Sequence, residues 1–217
     1  MRSIVPPAIH YIRRLFAPED EILRYAFNQP KDNVKNIQIG PDEGQLLRVL
    51  ITMARVKKIV EIGTLSGYSS LWMARAIPED GHIYTIEKSK EHAEYARNSF
   101  TQSELSHKIT LLEGDAKEKL KELEEVVPFD MVFIDADKGG YCEYLDWAEA
   151  HVRKGGLIVG DNTFLFGAVY ENVPPEGVSR KSWEVMREFN NRLANKDKYT
   201  SVIIPTQEGM TVAVKHF

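Results

Sequence analysis

Apolar positions along the chain change their period near residue 57. Before that point they recur at helical spacing. Ile9, Ile12, Leu15 and Phe16, followed by Ile22, Leu23, Ala26 and Phe27, predict one or two short helices within residues 6–29. Asn28–Ile39 carries Pro30, Asn33 and Asn36 and reads as a connecting loop. Pro41–Val56 predicts a strong helix, with proline in its first turn and Leu46, Leu47, Val49, Leu50 and Met53 buried.

From Lys57 onward strand and helix patterns alternate. The predicted strands are Lys57–Ile62, His82–Ile86, Ile109–Leu112, Asp130–Ile134, Leu157–Val159, Thr200–Ile204 and Thr211–Lys215. The predicted helices between them are Ser69–Ile77, Lys90–Phe100, Lys117–Glu125, Tyr144–Val152 and Ser182–Leu193. This alternation implies an α/β fold, a doubly wound and mostly parallel seven-stranded sheet covered on both faces. The last two strands are joined too tightly for a crossover helix, so they form an antiparallel C-terminal hairpin. Ligands in such sheets bind outside the carboxyl ends of the strands.

Composition narrows the picture. The 217 residues are 43% apolar and 28% charged, enough apolar surface to fold and too much for bulk disorder. One domain spanning 1–217 is expected, with 1–36 as a helical arm and 37–217 as the binding core. A net charge of −4 gives no global attraction to nucleic acid or to an anionic membrane. The single cysteine, Cys142, excludes an internal disulfide and a thiolate zinc cage. There is no signal-peptide pattern at the start and no apolar run of the length, about 20 residues, that a membrane helix needs. A cytoplasmic protein without membrane contact is expected.

The strand ends carry the candidate chemistry. The first strand runs into Gly63-Thr64-Leu65-Ser66-Gly67, where two glycines let the backbone turn tightly and approach a ligand. The nicotinamide fingerprint G-x-G-x-x-G is absent, and a plain strand-to-helix turn is the other reading. Glu87, 24 residues beyond Gly63, ends the second strand where an acidic side chain accepts bonds from ribose hydroxyls. It could equally be a solvated charge or a cap near Ser89. After the third strand, Gly114 and Ala116 leave room for an adenine ring, and Asp115 either bonds its amino group or caps the next helix.

The fourth strand runs into Asp135-Ala136-Asp137-Lys138 and the fifth into Asp161-Asn162-Thr163. Convergence of Asp135, Asp161 and Asn162 would give three hard oxygen ligands, suited to Mg²⁺ or Ca²⁺ and poor for zinc. Helix caps or an acidic rim are the alternative. A cation there would favour the neutral form of the Lys138 ammonium, making it a general base; a surface lysine is the bland reading.

These runs together resemble a known family. Val60-Glu61-Ile62-Gly63, Gly67-Tyr68-Ser69, Phe133-Ile134-Asp135-Ala136-Asp137-Lys138 with Tyr141, and Gly160-Asp161-Asn162-Thr163 are similar to motifs of the cation-dependent O-methyltransferases. That family includes catechol and caffeoyl-CoA O-methyltransferases and small bacterial relatives. Asp42-Glu43-Gly44-Gln45 and Pro205 with Glu208-Gly209 also match. The resemblance covers residue 37 to the end, with the first 35 residues similar only loosely.

The resemblance implies a Rossmann-like methyltransferase fold and S-adenosylmethionine as methyl donor. Glu61, Gly63 and Ser69 would line its methionine part, Glu87 its ribose, and Asp115 and Ala116 its adenine. Ile39 and Gly40 would cover the cofactor, and Asp137 would help orient its amine. Asp135, Asp161 and Asn162 would hold the divalent metal, usually Mg²⁺, with Mn²⁺ or Ca²⁺ as alternatives. Asp135 stands beside the cofactor as well. Lys138 would deprotonate the acceptor hydroxyl, and a catechol-like vicinal dihydroxy aromatic is the implied acceptor. A homodimer is also implied, with the N-terminal helices as candidates to cover a partner's site.

The chain departs from the family at Phe164-Leu165-Phe166-Gly167, where a tryptophan often follows, and at Gly139-Gly140. These positions put the plant acceptors in doubt. Phe164, Phe166, Tyr141 and Tyr144 could stack on an acceptor or be core, with core preferred for Tyr144. Trp72, Trp147 and Trp183 read as packing. The competing function is a tRNA 5-hydroxyuridine O-methyltransferase, with Arg13, Arg14, Arg180, Lys181, Arg187 and Arg192 as phosphate contacts.

Overall fold

Residues 6–31 and 37–217 are described by a computed structural model. The strands are β1 (Lys58–Ile62), β2 (His82–Glu87), β3 (Ile109–Glu113), β4 (Phe129–Ile134), β5 (Val152–Gly160), β6 (Tyr199–Ile204) and β7 (Met210–Lys215). They belong to one mixed sheet in the order β3-β2-β1-β4-β5-β7-β6, the expected architecture. Contacts divide the chain into two compact units at Lys119/Leu120.

In the first unit β1 pairs in parallel with β2, and β2 with β3. Four of the five β1 residues are buried, as expected of a strand covered on both faces. The helices are α1 (Pro7–Phe16), α2 (Glu21–Asn28), α3 (Pro41–Ala54), α4 (Tyr68–Ala74), α5 (Lys90–Thr101) and the start of α6 (Ala116–Glu122). Every residue of α4 is buried, so it shows no polar face. Gly44 lets α3 lie directly on that helix: a Cβ there would sit 2.5 Å from the Trp72 ring.

Two expected core residues of α3 are not core. Val49 is 44% exposed and Met53 77%. Glu43, Gly44, Leu47 and Ile51 face inward instead, a single stripe at helical spacing. Leu46 and Leu50 are half-buried on its flanks. The apolar residues surround α3, so periodicity did not separate its two sides. In α1 no residue is buried, and Tyr11, Leu15 and Phe16 are exposed. Asn33, Asn36 and the rest of 32–36 within the expected loop lie outside the described residues.

In the second unit β4 and β5 are parallel, while β7 is antiparallel to both β5 and β6. β7 therefore sits between β5 and β6. The helices here are α7 (Tyr141–His151) and α8 (Arg180–Leu193). β5 begins five residues before the expected Leu157, at Val152. Its exposed Lys154 and Gly155 hide that extension from an apolar pattern. α7 likewise starts at Tyr141 rather than Tyr144. Met186, Phe189 and Leu193 form the buried stripe of α8.

Candidate active site

In the first unit the turn after β1 places Gly63, Leu65 and Gly67 at φ 97°, 50° and 77°. Leu65 in the left-handed region costs about 1–3 kcal/mol and needs support from its surroundings. Glu87 gives that support. Its Oε2 accepts the N–H groups of Leu65 at 2.9 Å and Thr64 at 3.2 Å, and its Oε1 accepts that of Ser89 at 2.8 Å. Glu87 is 8% exposed, so it is no solvated charge. Carboxylate oxygens accept more than one bond each, which leaves it capacity for ligand hydroxyls. Gly67 is required sterically as well: a Cβ would meet Phe100 at 2.3 Å. The Ser66 hydroxyl is buried in the turn with no hydrogen-bond partner among the described residues.

Glu61 is fully buried, and its two carboxylate oxygens accept the hydroxyls of Ser69 and Ser70. The expected pair Glu61–Ser69 is thus brought together, as a clamp from β1 onto the first turn of α4. Ile39 and Gly40 are buried immediately before α3. The Gly40 N–H donates to Glu43 Oε2 at 2.6 Å, and Arg13 Nε donates to Asp42 Oδ1 at 2.6 Å. The Asp42-Glu43-Gly44 run therefore caps, ties and seats α3. Asp115 accepts the Lys117 N–H at 3.0 Å and an ammonium proton of Lys88 at 3.0 Å. The bond from Lys88, then that from Lys117, holds its carboxyl below the usual range. The capping reading of Asp115 is realised; Ala116 opens α6 beside it.

In the second unit the register of β4 and β5 sets Ile134 opposite Gly160, and the Asp161 N–H donates to Ile134 O at 2.9 Å. Asp135 and Asp161 are therefore the next residues on two paired strands. Asp161 is 0% exposed and Asn162 8%. Asn162 adopts φ 54°, a left-handed conformation that asparagine tolerates. Its Nδ2 donates to Asp161 Oδ2 at 3.0 Å, which leaves its amide oxygen as a third oxygen donor. Two carboxylates and an amide oxygen fit a hard divalent cation and, with no His or Cys among them, suit zinc poorly. Among the described residues no three His, Cys, Asp or Glu side chains form a metal cluster, so a cation would rest on this mixed set.

Lys138 Nζ lies 3.2 Å from Asp135 Oδ1 and donates to Tyr141 Oη at 2.7 Å. Tyr141 Oη in turn stands 2.8 Å from Asp161 O and 3.1 Å from Ile134 O, both acceptors. Burial first, then the Asp135 and Asp161 charges, push the Tyr141 phenol far above its ordinary range, so it stays a neutral donor. Tyr141 is fully buried and Tyr144 nearly so, which makes both core rather than stacking surfaces. The exposed Asp137 accepts the Tyr144 hydroxyl at 2.6 Å.

The segment after Asn162 is held on two sides. Thr163 and Phe164 donate their N–H groups to Gly209 O and Glu208 O, both at 2.9 Å. Gly209, at φ 76°, packs on Phe164 so closely that a Cβ would lie 2.6 Å from its ring. This gives Glu208 and Gly209 of the Pro205…Glu208-Gly209 motif a structural reason. On the other side stand three α8 residues that sequence reasoning did not assign to the site. Asn190 Nδ2 donates to Thr163 O at 2.9 Å, Trp183 Nε1 to Ala168 O at 2.9 Å, and Arg187 to Glu171 O at 2.8 Å. Their spacing, 183, 187 and 190, was the available signal: one polar face beside an apolar stripe. Phe164 is half-buried and Phe166 is 61% exposed. Trp72 is buried, and Trp147 and Trp183 are half-buried.

The arginines proposed as phosphate contacts are largely engaged within the chain. Arg13 pairs with Asp42, Arg180 with Glu184, and Arg192 with Asp146 and Glu149. Arg187 donates to the Val169 and Glu171 carbonyls.

The O-methyltransferase family model matches residues 19–216, which brings α2 within the family's extent, earlier than the sequence resemblance reached. The chain belongs to that family of enzymes, which transfer a methyl group to oxygen. It is 35% identical over 213 residues to a catechol O-methyltransferase of Niastella koreensis, covering 94% of this chain and 95% of the relative. Among solved structures, TomG of Streptomyces achromogenes, an O-methyltransferase of tomaymycin synthesis in complex with SAM, superposes with TM-score 0.86 at 32% identity. That match covers 96% of this chain and 95% of TomG. An O-methyltransferase of Bacillus cereus in complex with SAH gives TM-score 0.85 at 29% identity, covering 96% and 97%.

Proposed function

We propose that this enzyme transfers the methyl group of S-adenosylmethionine to one hydroxyl of a vicinal dihydroxy aromatic, with a divalent cation at Asp135, Asp161 and Asn162. The observation that carries this reading is the pairing of the two strand ends, which sets a wholly buried Asp161 beside Asp135 and the Asn162 amide. Burying a carboxylate costs free energy, and a cation beside it offsets that cost.

Bound S-adenosylmethionine supplies an already activated methyl group. The divalent cation, Mg²⁺ or alternatively Mn²⁺ or Ca²⁺, supplies the charge that acidifies a chelating diol. The chain's own residues do the rest. Glu87, fixed by Thr64, Leu65 and Ser89, accepts the ribose hydroxyls, and the Gly63–Gly67 turn, Glu61 and Ser69 receive the methionine part. Asp115 and Ala116 flank the adenine, Ile39 and Gly40 cover it, and Asp137 orients the amine. Lys138, held between Asp135 and Tyr141, would take the acceptor proton in its neutral form. Phe166, exposed beside the metal residues in sequence, offers an aromatic face to the acceptor.

The chain works as one domain, 1–217, with 1–36 as an arm and 37–217 as the core. We place it in the cytoplasm; among the described residues no helix is long and apolar enough to cross a membrane. We also propose a homodimer through α1 and α3, whose Phe16 and Met53 are 62% and 77% exposed. The tRNA reading is the less favoured one, because four of its six basic contacts have internal partners.

The test is turnover of labelled S-adenosylmethionine against dihydroxylated aromatics and against tRNA that carries 5-hydroxyuridine not yet methylated. Methylation of the aromatics supports the proposal. Methylation of tRNA alone overturns it.

A further inference from the structure

We propose that Arg187, with Trp183 and Asn190 on the same face of α8, is a positioning residue that sets selectivity for the methyl acceptor. This rests on the functional reading above. The segment it holds is unusual: Leu165, Phe166 and Gly167 are consecutive left-handed residues at φ 49°, 55° and 85°. Two of them carry side chains that disfavour this conformation, so the turn persists only where its surroundings over-determine it.

α8 provides that constraint from outside the segment. Asn190 holds Thr163, directly after Asn162, and is itself oriented by Thr211 Oγ1, which donates to its Oδ1 at 3.0 Å. Trp183 holds Ala168, the residue after the turn. Arg187 holds Val169 O at 3.2 Å and Glu171 O at 2.8 Å, with its guanidinium 4.7 Å from the Trp183 ring centroid. One rigid helix thus fixes both ends of the turn that presents Phe166. Arginine suits the task because Nη1 of a planar guanidinium donates to both carbonyls while the guanidinium stacks on the indole; lysine offers only a compact charge on a flexible stem, with no plane to stack.

The experiment compares wild type with Arg187→Ala, Arg187→Lys and Trp183→Phe. Trp183→Phe removes the bond to Ala168 and keeps a smaller aromatic ring for Arg187 to stack on. In Arg187→Ala, KM for the acceptor rises about 10-fold, the scale of one or two lost hydrogen bonds to a charged donor. KM for S-adenosylmethionine stays within twofold, and discrimination among ring-substituted acceptors narrows. Arg187→Lys behaves like the alanine variant, and Trp183→Phe falls between it and wild type. Hydrogen exchange of the amides in 163–171 accelerates in Arg187→Ala, while that of β1 and β2 does not. An equal rise in both KM values, or full rescue by lysine, overturns the proposal, since it would mark a purely structural or purely charged role. If the wild type turns over no aromatic acceptor, the functional reading itself has failed. Exchange then decides on Arg187 alone: unchanged protection of 163–171 shows that it holds nothing there and overturns the proposal as well.

Discussion

Asp161 donates its backbone N–H to the carbonyl oxygen of Ile134 at 2.9 Å, and so sets its own side chain next to the strand end that carries Asp135. Because the register of β4 and β5 makes this contact, the candidate cation site is a property of strand pairing rather than of loop conformation.

Replacing Asp161 by alanine removes one of two carboxylates from that set. Turnover should fall at least about 100-fold, the several kcal/mol that a catalytic cation supplies. Affinity for S-adenosylhomocysteine, measured by calorimetry, should change less than threefold. Retained turnover would mean that the cation, if any, binds elsewhere.

Lys138→Ala should lower turnover by about 10²–10⁴-fold, the range for loss of a general base. Single-turnover rates at saturating donor and acceptor check this. A variant with wild-type rates would leave Lys138 only its bonds to Asp135 and Tyr141.

Glu87→Ala removes three accepted N–H bonds and the expected ribose contacts. Donor affinity should weaken about 10- to 100-fold, from hydrogen bonds to a charged group worth about 1.5–3 kcal/mol. Calorimetric titration with S-adenosylhomocysteine measures it, and unchanged affinity would remove Glu87 from the cofactor site.

Met53→Glu places a charge on the exposed apolar side of α3. Sedimentation should show a dimer for wild type and a monomer for the variant. Identical sedimentation of the two would exclude this face as the interface.

Glu149 gives a pH prediction. Burial raises its carboxyl pKa, but the Tyr199 hydroxyl at 2.5 Å and the Arg192 charge outweigh it, so the net direction is down. A carboxyl depressed in the folded state stabilises the protein above its unfolded value of about 4.3. That contribution is lost as pH falls through the lower folded value. Urea unfolding should therefore show a steeper acid limb for wild type than for Glu149→Gln.

Much of this was legible in the sequence because parallel strands and their helices impose strong periodicities. Each strand end then announced itself by glycine or acidic residues, as at Gly63, Glu87, Asp135 and Asp161. What sequence missed has physical reasons. Val49 and Met53 look like core because apolarity alone does not say which side of a helix faces inward. Asp115 reads equally as a cap or an adenine contact, and its bond to the Lys117 N–H depends on where α6 begins, which the sequence pattern placed one residue late. The spacing of Trp183, Arg187 and Asn190 marked one face of α8, but not the carbonyls of Ala168, Glu171 and Thr163 that this face holds, which lie well outside the helix in sequence. Gly209 is similar: its motif was visible, but its reason, contact with the Phe164 ring, was not.

The most direct measurement is release of S-adenosylhomocysteine with catechol as acceptor, with Mg²⁺ and again with EDTA, beside a monohydroxylated phenol as control. The account predicts turnover of catechol that EDTA abolishes and Mg²⁺ restores, with little or none on the phenol. Equal turnover with EDTA, or equal use of the phenol, would contradict a cation held by Asp135, Asp161 and Asn162 as the centre of this site.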